Sequence, residues 1–320
     1  MTTTEPTKQK RTPRFKRVAK GKISLNSRDI EIIKHVHRYR FLTSKHITAL
    51  INGNDQAIIR RLGLLYHAGY LDRPREQIRE MFYGSNPMIY ALGNKGADLL
   101  ADMYATARAK IDWTTKNKEV GSVFLEHSLM VANFMVCLEV ACQNKGIKLI
   151  RPEEVLDEMP AREIKGGSLF GWNVAVKRQA GGKIKEIKIG VIPDSVFGLE
   201  FKNGDAAYFF LEADRSNMPI VRSSFDKSSF LKKLLAYWQS YDAGLIKQIY
   251  GFTKPRVLTL TLSQERINSM IAANKEIDPR HMGYRIFYFA RANNFDVSNP
   301  ENIFDKVWIN GRQETSSLLD

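Results

Sequence analysis

The chain has 320 residues, 43% of them apolar, with a formal net charge of +15. That is enough material for two domains or one large one, at an ordinary composition for a folded protein. No run of about 18 uncharged apolar residues occurs, so no membrane span is expected. The basic N-terminus lacks the apolar stretch and cleavage site of a secretion signal, which points to the cytoplasm. Cys137 and Cys142 lie five apart in an apolar helical pattern and so face different directions. They read as buried thiols of a reducing compartment.

The charge is unevenly spread: residues 1–22 carry net +7, residues 23–110 net +5 and the remaining 210 residues net +3. A concentrated basic excess suits a polyanion such as nucleic acid. Residues 1–22 read as a disordered basic tail in which Arg11, Arg14, Lys16 and Arg17 would contact phosphates. The competing readings are a solvated tail without a partner and an anionic membrane surface. Against the membrane, Phe15 and Val18 are nearly the only apolar residues there for anchoring.

Residues 23–110 read as a winged helix-turn-helix. "LNSRDIEIIKHVHRYR" begins at a cap, Asn26 or Ser27, with Asp29 and Glu31 in its first turn and Ile30, Ile33 and Val36 at helical period. "FLTSKHITALI" follows, capped by Thr43 or Ser44, with Lys45 beyond the cap as an expected DNA contact. "NDQAIIRRLGLLYHAGYL" runs from an Asn/Asp cap to Gly69, with Ile58, Leu62 and Leu65 as its apolar stripe. Gln56, Arg60 and Gly63 fall roughly opposite that stripe and Arg61 on its flank, the arrangement a recognition helix needs in a major groove. The strand-like runs "YLDRPREQ" and "PMIYALG" would form the wing, decorated by Arg73, Arg75 and Arg79. "NKGADLLADMYATARAK" would add a helix that packs on the wing or mediates dimerisation. Double-stranded DNA is the expected partner. His35 and His37 resemble a His-hydrophobe-His metal motif, but on a helix residues two apart point in opposed directions.

Residues 111–120 read as a polar linker. Residues 121–294 read as an α/β domain with a mixed sheet: a helix in "SVFLEHSLMVANFMVCLEVACQNKG", a strand "IKLIRPEEV" and a Gly- and Lys-rich meander. Then come strands "VIPDSVFGLE" and "AAYFFLEAD", helix "DKSSFLKKLLAYWQSYDAG", strand "RVLTLTLS", helix "QERINSMIAANKE" and strand "YRIFYFA". Residues 295–320 read as a C-terminal tail. The Gly-Gly pairs of the meander open no phosphate loop, since no Gly-Lys-Ser/Thr pattern starts a helix.

The order α-β-β-β-α-β, with Pro-Asp on one strand and Glu-x-Asp on the next, resembles the core of the PD-(D/E)xK nuclease fold. The ordered set "LNSRDIEIIKHVHRYRFLTSKHITAL", "RRLGLLYHAGYLDR", "MIYALGNKGADLL", "EHSLMVANF", "PDSVFGLE" and "YFFLEADRS" resembles the replication-relaxation family of bacterial plasmids and mobile elements. The resemblance implies a DNA-binding protein of plasmid replication, DNA relaxation or mobilisation, with replication or mobilisation proteins as further partners and a homodimer as one assembly. It leaves the chemistry open.

Three carboxylates carry the chemical question. By strand parity Phe210, Glu212 and Asp214 share one face, the two carboxylates about 7 Å apart along the strand. Asp194 would lie on the neighbouring strand, and Glu126 stands where nucleases of this fold often supply another carboxylate. Asp194 and Glu212 would be the ligands if Mg²⁺ were held, with one bound water attacking a phosphodiester. The nuclease pattern, however, wants Lys two residues after the Glu, and that position is Asp214. Lys227 or Lys232 on the next helix would have to substitute. Without a cation the carboxylates repel, or pair as ions with basic neighbours. A nuclease-like domain without catalysis and without a cofactor is therefore expected, with a Mg²⁺-dependent endonuclease or nickase as the alternative. His127, beside Glu126, reads as a core or interface histidine, the alternative being a functional residue that faces the carboxylate cluster. No Gly-x-Ser-x-Gly elbow or zinc-ligand spacing is present.

Overall fold

In a computed structural model, residues 14–18, 23–78, 86–111, 117, 120–160, 169–180, 183–222, 227–277 and 285–320 are described. The expected DNA contacts Arg11 and Arg79 lie outside the described residues, as does most of segment 1–22. The chain divides into two compact units, Met1–Ala132 and Asn133–Asp320. It is a mixed α/β protein.

The first unit runs α1 (Ser27–Tyr39), β1 (Phe41–Thr43), α2 (Ser44–Leu50), α3 (Asp55–Ala68), β2 (Leu71–Asp72), β3 (Ile89–Leu92), α4 (Asn94–Met103) and α5 (Arg108–Ile111). Short polar side chains start the helices. Asn26 accepts from the Asp29 N–H while Asp29 accepts from the Asn26 N–H. Thr43 and Asn54 do the same work for α2 and α3. Gly69, at φ 91°, ends α3 in the left-handed conformation that glycine adopts at least cost. Ile58, Leu62 and Leu65 are buried, as their spacing predicts.

Three antiparallel strands form a small sheet in the order β1-β3-β2. Strand β1 differs from expectation, because Phe41 and Leu42 read as the approach to α2. Both are fully buried and pair with Ala91 and Tyr90. The expected long strand "YLDRPREQ" is cut to β2 because Pro74 has no N–H for the ladder. A 3₁₀ turn, Arg75–Ile78, follows. There the buried Gln77 amide donates to Pro74 O and Ile89 O and accepts from Ile89 N. Helix α4 packs on β2, and a Cβ at Gly96 would overlap the Tyr70 carbonyl.

Helix α6 (Ser122–Lys145) carries the boundary between the units. Among the described residues it alone is long and apolar enough to cross a membrane by length and composition. From Phe134 to Cys142 nearly every residue is buried inside the protein, which is what a core helix shows.

The second unit continues with β4 (Lys148–Ile150), α7 (Pro152–Glu158), β5 (Trp172–Ala180), β6 (Lys183–Val191), β7 (Ser195–Glu200), β8 (Ala206–Ala213), α8 (Phe230–Asp242), α9 (Leu245–Tyr250), β9 (Arg256–Thr261), α10 (Gln264–Ile277), β10 (Phe287–Arg291), β11 (Trp308–Asn310) and β12 (Thr315–Ser316). Its main sheet has the order β12-β11-β10-β9-β8-β7-β4. Strands β8, β9 and β10 are parallel, and the other neighbours are antiparallel. Strands β5 and β6 form a separate hairpin.

Alternation along the strands builds two cores. Phe197 and Phe209 stack at 5.0 Å on one face, where Phe134 of α6 meets Phe197. Val196, Phe210, Val257, Phe287 and Phe289 join a cluster with α8, α10 and Trp172 of the hairpin. Residues 295–320 are not a tail. They hold a 3₁₀ turn, Pro300–Phe304, and strands β11 and β12, and Trp308 is fully buried against Phe134 and Phe295. The run has no period to announce this, because its burial comes from a helix more than 150 residues earlier.

Candidate functional site

The strand β8 places Glu212 and Asp214 beyond Phe210 on the face covered by α8 and α10. The expected parity is observed, but the two carboxylates go to different partners. Glu212 is 2% exposed. Its Oε2 accepts from Lys233 Nζ at 2.5 Å and its Oε1 from the Tyr237 hydroxyl at 2.6 Å. Both donors lie on α8, one helical turn apart, so they address the two oxygens of one carboxylate. Asp214 is 6% exposed. It takes a bidentate pair from Arg266 of α10, at 2.8 and 2.9 Å, and a bond from the Thr261 hydroxyl at 3.2 Å. Arg266 also donates to Met218 O.

Asp194 precedes β7 and is half-buried. Its N–H donates to Leu211 O at 3.0 Å, and its Oδ2 accepts from the Ala213 N–H at 2.8 Å. The Pro-Asp element thus latches the end of β8.

Burial raises the pKa of Glu212; the Lys233 charge offsets only part of that, and Asp194 adds to the rise. Burial pulls the Lys233 ammonium the other way, but the carboxylates of Glu212, Asp194 and Asp214 outweigh it and the net shift is upward. Tyr237, buried beside Glu212, is pushed well above the ordinary phenol range.

Among the described residues no group of three or more His, Cys, Asp or Glu side chains is placed to hold a metal ion. Both Glu212 oxygens are taken by protein donors, and Asp194 is bonded to backbone. Glu126 lies in the first unit. The cation on Glu212 is Lys233, not the Lys227 or Lys232 suggested from sequence. Lys233, Tyr237 and Arg266 were missed, and the only available signal was the helical period of "FLKKLLAYW", which places Lys233 and Tyr237 on one face.

In the first unit, Lys45, Gln56, Arg60 and Arg75 are exposed. Gln56 and Arg60 lie opposite the buried stripe of α3, and the apolar Ile59, 40% exposed, lies beside them. Arg61 is engaged elsewhere: its guanidinium donates to both oxygens of the fully buried Asp29, at 2.5 and 2.7 Å, and to Ser24 O. Arg17 and Arg73 are also anchored, against Tyr66, although Arg17, like Arg14 and Lys16, is exposed. His35 and His37 lie on α1, as helix side chains.

These features define a mixed α/β protein with a basic helical unit and a sheet-based unit whose central carboxylates are paired with protein cations. Residues 33–254 match the replication-relaxation family, which is more than half of the chain, and the protein belongs to that family. Searches of curated proteins and of solved structures find no match.

Proposed function

We propose that the protein binds duplex DNA in plasmid replication, relaxation or mobilisation, through a winged helix in the first unit. The observation that carries this is the division of α3: Ile58, Leu62 and Leu65 are buried, while Gln56 and Arg60 are exposed on the other side. A helix so divided presents polar forks to a groove without loosening its own packing. The sheet order β1-β3-β2 with three helices, and the family membership, support the same reading. Replication or mobilisation proteins, and a second copy bound to a palindromic site, are the partners this role implies.

The second unit is, in this reading, a nuclease-like domain that does not cut. The sheet β4-β7-β8-β9, antiparallel until the α8 crossover to β9, supports the likeness. The occupied oxygens of Glu212 and Asp214 support the lack of cleavage. One observation favours a Mg²⁺-dependent endonuclease instead: Lys233 supplies from α8 the cation that Asp214 displaces from the strand motif. Incubating the protein with plasmid DNA, with and without Mg²⁺, tests both halves. Binding without nicking is expected. Cleavage that requires Mg²⁺ and disappears in Asp194→Ala overturns the non-catalytic half, and absence of binding overturns the first.

A further inference from the structure

The first unit holds a cavity of about 450 Å³ whose wall brings four cations together with apolar and neutral polar side chains, among them Phe15, Ala91 and Asn117. Its charged and aromatic wall comes from separate stretches of the chain. Lys16 and Arg17 come from the N-terminal segment, Tyr66 from the end of α3, and Asp72, Arg73 and Arg75 from β2 and the turn beyond it. Four cations thus face one carboxylate, and that carboxylate already pairs with Arg17 at 3.2 Å.

Two of the cations, Arg17 and Arg73, are held in place by the fold. Arg17 donates to Tyr66 O at 2.9 Å and Leu71 O at 3.0 Å, and the next residue, Val18, donates its N–H to His67 Nδ1 at 3.2 Å. Arg73 donates to Arg14 O at 2.5 Å and to the Tyr90 hydroxyl at 3.1 Å, while its buried Nε has no hydrogen-bond partner. The Tyr66 ring packs against both guanidinium groups, 4.2 Å from Arg73 and 5.1 Å from Arg17. Holding like charges together is unfavourable unless an anion offsets them. Planar guanidinium forks at fixed angles match phosphate oxygens better than a point charge does.

We propose that this cavity is a phosphate-binding site that takes a phosphate together with its attached sugar. A bare phosphate is too small for it, whereas cavities of roughly 300–1,000 Å³ suit small organic ligands. The same chemistry has two sources. A backbone phosphate of nucleic acid rests on the DNA-binding reading above; a free nucleotide does not. In either case residues 14–18 are a wall of the site as well as a charged leader.

The test uses the full chain and the double variant Lys16→Ala/Arg75→Ala, both positions being exposed and peripheral to the core. Melting is followed with millimolar adenosine monophosphate or inorganic phosphate against chloride of equal ionic strength. Anisotropy with short labelled duplexes is followed across salt. Stabilisation by the nucleotide in the wild type, lost in the variant, establishes a free-nucleotide site. A duplex affinity that falls alike for all sequences, with a log–log salt slope flatter by about 1.8 units for two lost contacts, establishes a backbone-phosphate site. If neither changes while wild-type duplex binding persists, the site is overturned and the DNA reading stands. If the wild type binds no duplex but is stabilised by the nucleotide, the DNA reading fails and the site stands.

Discussion

Lys233 and Glu212, 21 residues apart in sequence, meet at 2.5 Å at the centre of the second unit. A strand and the helix that follows it are thereby joined by an ion pair.

The pH dependence of stability follows from the raised pKa of Glu212. A carboxyl whose folded pKa is raised binds its proton more tightly in the folded state, so its contribution is fully present below the ordinary carboxylate range of about 4.3. It is lost as pH rises through the folded pKa. Melting wild type and Glu212→Gln from acid to neutral pH should show wild type losing ground to the variant over that interval. A difference that stays flat, or moves the other way, sinks the assignment. Millimolar Mg²⁺ should shift neither melting curve, and a shift present only in the wild type would replace the ion-pair reading with a metal site.

Lys233→Ala removes the cation and leaves a buried carboxylate. The expected loss is about 2–4 kcal/mol, below the usual 3–5 for breaking a buried pair because the Lys233 side chain is 31% exposed. Urea unfolding measures it. The double variant Glu212→Gln/Lys233→Met should recover much of the loss, since no buried charge then lacks a partner.

Neighbouring arginines on α3 should behave oppositely. Arg60→Ala, like Gln56→Ala, should leave melting unchanged and reduce discrimination between a preferred site and random duplex by about 1–3 kcal/mol. Arg61→Ala should destabilise the first unit, because Asp29 is fully buried and would lose its bidentate partner. Binding and melting measured on both variants separate reader from fastener; equal effects on melting contradict this division.

Deleting residues 1–22 should weaken binding to all duplexes alike. With about six phosphate contacts among its eight basic residues, the log–log salt slope should flatten by roughly five units. An unchanged slope removes the segment from the interface.

Cys137 and Cys142 should resist alkylation in the folded protein at mildly alkaline pH. Burial pushes both thiols up to about 12, so little thiolate is present. Mass spectrometry after iodoacetamide should find them modified only once the chain is unfolded.

What the sequence determined by itself is what short-range geometry controls. Helix starts at Asn26 or Ser27, at Thr43 or Ser44 and at the Asn54-Asp55 pair, the Gly69 stop and the Ile58/Leu62/Leu65 stripe are set within a few residues of one another, by backbone groups needing partners and by helical period, and the structure selects Asn26, Thr43 and Asn54 as the caps. Strand parity placed Glu212 and Asp214 on one face for the same reason. The ion partners are different in kind. Lys232 and Lys233 differ by about 100° around α8, so only the packed orientation of that helix decides which of them reaches Glu212. Arg266 finds Asp214 across 52 residues, Arg61 finds Asp29 across 32, and Trp308 turns an expected tail into sheet by packing on Phe134. None of these has a local signature. Which charge neutralises which depends on the chain's path through space, and that path is chosen by the whole core rather than by the residues that meet.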